Sequence, residues 1–144
     1  MPAWSIALKV LIKWGPVVFA AGKKALPYLK DNPAGQRFVQ SLAEQTATLP
    51  DRVSAEARAN RKIAAVQQSL AEAATLGIDP EQYARWRAEL DDLARTVVIA
   101  KAANRRNRRT LLRRCDHRLD LLVAEILPAL TTRKPGPPPA LRPY

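Results

Sequence analysis

Apolar residues recur at helical spacing along most of this chain of 144 residues. No segment shows the sustained alternation of apolar and polar residues that is typical of strands. Prolines and glycines separate the helical stretches from one another. These stretches cover residues 3–14, 16–30, 34–48, 51–76, 80–103 and 107–130. The pattern therefore predicts an all-α fold.

The clearest local signal is the junction between two helices at residues 76–82. Gly77 can adopt the left-handed conformation that ends a helix. Asp79, Pro80 and Gln82 have the residue types of an N-cap, a first helical position and a capping box. So short a link predicts an antiparallel helical hairpin.

The apolar positions on either side of this junction agree with a hairpin. The second helix has the narrow stripe of a coiled-coil seam, and reflection about the turn gives an apolar stripe in the first. The stripe residues are Tyr83, Trp86, Leu90, Leu93 and Val97, opposite Ala73, Leu70, Val66, Ile63 and Ala59. In each pair the two residue numbers add up to 156, so the stripes should meet residue by residue.

A third apolar stripe follows, and its connection to the second helix is open to two interpretations. Leu111, Cys115, Leu119, Leu122 and Ile126 form it, flanked by Leu112 and Val123. Residues 104–107 are polar, and they form either a second turn or a polar break in one long rod. A turn predicts an antiparallel three-helix bundle. A rod would expose the stripe and would need a partner chain, and a homo-oligomer is one possibility.

The same pattern predicts four segments. Residues 1–30 form a cationic amphipathic helix, and residues 31–50 a short connecting helix. Residues 51–130 form the helical bundle, and residues 131–144 a proline-rich mobile tail.

The first segment carries the most specific functional signal. Five lysines and no arginine lie in residues 1–30, within an arc of about 120° on a helix of 100° per residue. A wider apolar face lies opposite, and the register continues across Gly15 and Pro16. The result is a kinked amphipathic helix. The uncharged stretch from Trp14 to Gly22 is far shorter than the ~20 residues of a transmembrane span.

Such a helix either lies in a membrane interface or docks on protein. In the membrane hypothesis apolar residues insert while lysines contact anionic head groups. The residues expected to contact the membrane are Trp4, Leu8, Lys9, Leu11, Lys13, Trp14, Val18, Phe19, Lys23 and Lys24.

Charge adds a second candidate surface. The net charge of +11 is uneven: basic and acidic residues number six and two in 1–50, seven and eight in 51–100, and eleven and three in 101–144. Arg105, Arg106, Arg109 and Arg113 share a helical face about 100° wide. Such a strip suits the phosphates of a nucleic acid or another anionic partner. No aromatic residue lies between Trp86 and Tyr144, so base-stacking platforms are missing there.

Signatures of catalysis are missing. We expect no cofactor and no catalytic residue, because no phosphate loop, nucleophilic pair or carboxylate pair is recognisable. Asp116, His117 and Asp120 superficially resemble metal ligands, but neighbouring arginines oppose a cation, so no metal site is predicted. The single cysteine, Cys115, is expected to be a buried small hydrophobe.

These observations lead to three hypotheses about function. The first is a non-enzymatic adaptor or scaffold on the cytoplasmic side of a membrane, attached to an anionic lipid surface through residues 1–30. The second is a nucleic-acid-binding accessory protein that uses the arginines of residues 101–118. The third is a structural subunit whose apolar N-terminal segment binds a protein partner.

Overall fold

The computed structural model describes residues 14–25, 27, 32–47 and 53–131. Within these ranges all regular secondary structure is helical, which confirms the all-α prediction. The helices are α1 (Pro16–Ala25), α2 (Pro33–Ala47), α3 (Ala55–Ala74), α4 (Pro80–Ala102) and α5 (Arg105–Thr131). None of them is long and apolar enough to cross a membrane.

The C-terminal end of α3 and the start of α4 follow the sequence signals, whereas α3 begins at Ala55 and not at residue 51. The Ser54 hydroxyl accepts a hydrogen bond from the Ala57 amide and caps α3. Gly77 has a φ of 106°, a left-handed value that a side chain would strain. The Asp79 carboxylate then accepts from the Gln82 amide, and Pro80 takes the first position of α4. The predicted turn is confirmed.

Both stripes of the hairpin lie in the core. All five residues of the α3 stripe are buried, and so are four of the five on α4, with Tyr83 packed at the margin. Lys101 near the end of α4 lies 3.9 Å from Glu56 at the start of α3. The two helices therefore run in opposite directions along their contact.

A turn joins α4 to α5, which excludes the single long rod. Ala103 leaves the helical conformation with a ψ of 163°. The Asn104 side chain then accepts from the Asn107 amide, as an N-cap does. The Arg108 guanidinium donates to the carbonyls of Ala100, Lys101 and Ala103 at the end of α4. The polar residues 104–107 thus reverse the chain.

Helix α5 runs back along α4 and also contacts α3. Trp86 Nε1 donates to Glu125 at 2.9 Å, and Cys115 Sγ lies 3.6 Å from the Leu93 carbonyl. Contacts early in α4 therefore reach late positions in α5. The predicted third stripe is buried except for Leu111, which packs against the core from its edge.

The two N-terminal helices cover different parts of this body. Helix α2 packs on α3, where Glu72 accepts from Arg37 and from the Ser41 hydroxyl at 2.7 Å. The Ser41 and Arg37 hydrogen bonds hold the pKa of Glu72 below its ordinary value. Helix α1 packs on α5. The helix predicted over 16–30 ends at Ala25, while residues 1–13 and 28–31 lie outside the described ranges.

Candidate functional site

An open groove of about 1230 Å³ lies where the N-terminal ends of α3 and α5 come together. We call it the arginine groove, because Arg58, Arg105, Arg108, Arg109 and Arg113 line it. Six lining residues are arginine or lysine, and three are acidic. The groove therefore carries a net positive charge.

The floor of the groove is built around Lys62 of α3. Its side chain is only 8% exposed, so the ammonium needs compensation for lost hydration. Lys62 Nζ lies 2.5 Å from Asp116 and 3.4 Å from Asp120, both on α5. It also lies 4.5 Å from the centre of the Trp14 ring, a favourable cation–π position. Side chains from three segments of the chain therefore come together around the Lys62 ammonium group.

Trp14 closes one end of this floor. Its ring nitrogen donates to the Thr46 hydroxyl at 2.8 Å, and that hydroxyl donates to the Leu42 carbonyl at 2.7 Å. A buried indole and a buried hydroxyl are therefore both satisfied. The contact ties Trp14, two residues before α1, to the end of α2.

The carboxylates of the floor differ in environment. Burial raises the pKa of Asp120, with the neighbouring Asp116 adding to the rise and Lys62 opposing it. Asp116 is about half exposed, at 49% of its side chain. The two carboxylates outnumber the one ammonium group of Lys62, so the floor has a slight excess of acidic groups. The cationic part of the groove is therefore its outer part.

The walls carry the cationic side chains. Arg105, Arg109 and Arg113 follow one another at four-residue spacing along α5, and Arg58 comes from α3. All four are exposed. Among the described residues none of them takes part in an ion pair. These guanidinium groups are therefore available to an external anion.

The predicted arginine strip divides between two hollows. Arg105, Arg109 and Arg113 line the arginine groove and also a second hollow of about 540 Å³ beside it. Arg106 lines the second hollow but not the arginine groove. The four predicted residues thus lie together on the surface, with three of them in a ridge between concave regions.

The start of α5 is electrostatically unlike the starts of α3 and α4. Glu56 and Glu81 lie in the first turns of α3 and α4, where the positive end of the helix dipole stabilises them. The first turn of α5 has no acidic residue and begins with Arg105 and Arg106. Each positive charge there opposes the dipole by about 0.3–1 kcal/mol. The same arrangement strengthens attraction for an anion.

The predicted membrane-contact residues separate into three groups. Trp4, Leu8, Lys9, Leu11 and Lys13 lie outside the described residues. Trp14 is 3% exposed and Val18 is completely buried, so in this conformation both contact protein and not lipid. Lys23 and Lys24 are exposed, and Lys23 lies 5.7 Å from the half-buried Phe19 ring. Trp14 contacts Thr46 of α2 and Lys62 of α3, and Val18 lies in the core, where α1 packs on α5.

The residues considered above for metal binding or thiol reactivity lie in surroundings that indicate structural roles for most of them. Asp116 and Asp120 pair with Lys62, and His117 is exposed at the groove. Over the described ranges there is no group of three or more histidine, cysteine or acidic residues that could hold a metal ion. Cys115 is buried, and this burial raises the pKa of its thiol. Its hydrophobic packing agrees with the prediction.

Two groove residues were not singled out from the sequence. Arg58 is one of many exposed arginines, and only the packing of α3 beside α5 brings it into the same groove as the arginines of α5. Lys62 lies between the stripe residues Ala59 and Ile63, and this position is the one local signal of its burial. A lysine that follows a core position by three residues is a candidate for a buried ion pair.

Comparison of the sequence and structure with protein-family models, curated proteins and solved structures found no match.

Proposed function

We propose that this chain is a non-enzymatic, helical accessory protein that binds the phosphate backbone of nucleic acid through the arginine groove. The observation that carries the proposal is the row of Arg105, Arg109 and Arg113. These residues line a concave surface, are exposed and have no ion-pair partner among the described residues. Arginine pairs with phosphate through two parallel hydrogen bonds.

The position of the row supports a role in binding over a role in stability. Positive charges at a helix N-terminus, beside further positive charges, destabilise the folded chain. Residues that break a local rule of stability are expected at functional sites. A bound phosphate chain would relieve the repulsion among the arginines and release counterions.

Concavity favours nucleic acid over a membrane as the anionic partner. A bilayer surface is nearly flat on this scale, so it makes contact with convex parts of a protein more easily than with concave ones. A polymer chain can enter a groove. The burial of Trp14 and Val18 also removes two of the side chains expected to insert into lipid. Attachment of residues 1–13 to a membrane stays a separate hypothesis, which the experiment below includes.

We further propose that α3, α4 and α5 form an antiparallel three-helix bundle, with α1 and α2 attached to its sides. Contacts between every pair of these three helices support this architecture. In such a bundle α3 and α5 run in the same direction, so their positive N-terminal ends lie together at the groove. The bundle is then the rigid support of the binding surface.

The experiment compares two variants of equal net charge. The groove variant changes Arg105, Arg106, Arg109 and Arg113 to Glu. The control variant changes four exposed arginines outside both hollows to Glu, namely Arg61, Arg85, Arg87 and Arg114. Binding to a fluorescent oligonucleotide is measured by anisotropy, and binding to anionic vesicles by co-sedimentation. Circular dichroism checks that both variants fold.

The proposal predicts that the groove variant loses more than about 100-fold in oligonucleotide affinity, since several phosphate contacts disappear together. The control variant should lose much less. Equal losses in the two variants would show diffuse charge attraction and contradict the proposal. Vesicle binding without oligonucleotide binding by the intact protein would instead support the membrane hypothesis.

A further inference from the structure

We infer that the arginine groove accepts one extended phosphate-bearing strand, which passes between Arg58 of α3 and the arginine row of α5. This inference rests on the proposed function and makes it more specific. It assigns a role to Arg58 and selects single-stranded over double-stranded nucleic acid.

The groove has cationic side chains on two walls. Arg58 lies one turn into α3, after the Ser54 cap, and Arg105, Arg109 and Arg113 lie on α5. A ligand that touched α5 alone would leave Arg58 unused. A strand between the walls contacts guanidinium groups from both sides, which a one-sided surface cannot offer.

The width of the groove suits a single chain. The axes of packed helices lie about 8–10 Å apart, and α3 contacts α5 directly, so the groove is a channel that runs over their contact. The Lys62–Asp116 pair holds the two helices together at the floor. A double helix is wider than this spacing of helix axes and would touch only the rim of the groove. A single strand is narrow enough to lie along the channel between Arg58 and the arginine row.

The lining selects for phosphate and not for bases. Trp14 is the one Phe, Trp or Tyr of the lining, and it is 3% exposed and already covers Lys62. The exposed imidazole of His117 is then the one ring in the lining that a base could reach, so the groove offers bases little stacking surface. Asp116 and Asp120 end the cationic run at the floor, so the strand should follow the outer groove from Arg105 to Arg113. These two residues are about 12 Å apart along the helix.

Recognition by phosphate alone makes a prediction about the source of the strand. Any flexible chain of phosphates presents the chemistry that these arginines bind, including inorganic polyphosphate. Polyphosphate should therefore displace an oligonucleotide at comparable phosphate concentration. A failure to displace it would show that sugar or base groups contribute, and this part of the inference would be wrong.

The experiment uses the full chain with three probes: labelled oligothymidylate of about 20 nucleotides, the same strand annealed to its complement, and polyphosphate as competitor. The variants are Arg58→Glu and the matched control Arg61→Glu, which lies on the same helix outside the groove. Both side chains are exposed, so neither change should unfold the protein. Anisotropy measures the affinities at fixed salt concentration.

We expect the intact protein to bind the single strand at least about tenfold more tightly than the duplex. Arg58→Glu should weaken single-strand binding about tenfold or more, and Arg61→Glu less than about threefold. Equal effects of the two variants, or tighter binding of the duplex, would overturn the inference. If the α5 groove variant still abolished binding in that case, the proposed function itself would remain supported.

Discussion

The two halves of one face of α5 differ in burial. Arg109 and Leu127 are 18 residues apart, which is five turns of 3.6 residues, so they point to the same side of the helix. Leu127 is completely buried, whereas Arg109 is exposed in the arginine groove. Their burial differs because other parts of the protein cover Leu127 and leave Arg109 open to solvent.

Helix α1 packs on α5 outside the arginine groove. A side chain at Gly15, just before α1, would lie 3.9 Å from Asp120. No residue of α1 lines the groove, whereas Val18 of α1 and Leu127 of α5 belong to the same buried core. The sequence of α5 follows the same division, with arginines before Asp116 and apolar residues after Asp120. One half of the face is therefore packed against the rest of the protein, and the other half is open.

The largest expected effect tests the two halves against each other. Leu127→Ala removes a buried side chain and should lower the free energy of unfolding by about 2–5 kcal/mol. Arg109→Ala at the equivalent position of the open half should change it by less than about 0.5 kcal/mol. Chemical denaturation measures both values. Similar losses in the two variants would contradict the division.

The boundary between the halves depends on Lys62. Lys62→Met leaves Asp116 and Asp120 without their cation, and we expect a loss of about 1–3 kcal/mol, reduced because Asp116 is half exposed. A second change, Asp120→Asn, should recover part of this loss by removing the buried negative charge. A double variant less stable than Lys62→Met alone would show that the two groups do not act as a pair.

Changes at Trp14 should have the next largest effect on the free energy of unfolding. Trp14→Phe keeps a ring over Lys62 but removes the hydrogen bond to Thr46, which should cost about 1 kcal/mol. Trp14→Ala also removes the ring and should cost more. If both changes left the stability unaltered, Trp14 would not hold the N-terminal part of the chain on the body.

The smallest expected effect has the opposite sign. Arg105→Glu puts a negative charge at the positive end of α5 and should stabilise the fold by about 0.3–1 kcal/mol. The same change should weaken oligonucleotide binding. Arg114→Glu, outside both hollows, serves as the control. A destabilised Arg105→Glu variant would contradict the view that this residue is kept for binding at a cost in stability.

Local signals in the sequence were sufficient for most of the helices. The cap at Asp79, the turn at Gly77 and the matched stripes of α3 and α4 all depend on residues close in the chain. The sequence does not decide between a turn and a break at 104–107, because polar residues fit both. The Asn104 cap and the hydrogen bonds of Arg108 to the end of α4 decide it.

The site was predicted less completely, for a physical reason. The arginine row follows from helical spacing alone, which predicts its three residues as part of a strip of four that also includes Arg106. Its setting in a groove depends on contacts between helices far apart in sequence, such as Lys62 with Asp116. The pattern in residues 1–30 also showed an apolar face without showing what covers it. Only the packing of α1 on α5 places Val18 in the core.

The most direct test of the central claim is the salt dependence of oligonucleotide binding. On a single strand each phosphate contact contributes about 0.7 to the slope of log affinity against log salt concentration. Arg113→Gln in the groove should therefore lower the slope by about 0.7, and Arg114→Gln beside it should leave the slope unchanged. This result would place the phosphate contacts on the open half of the α5 face. Equal changes of slope in the two variants, or no change in either, would contradict the account.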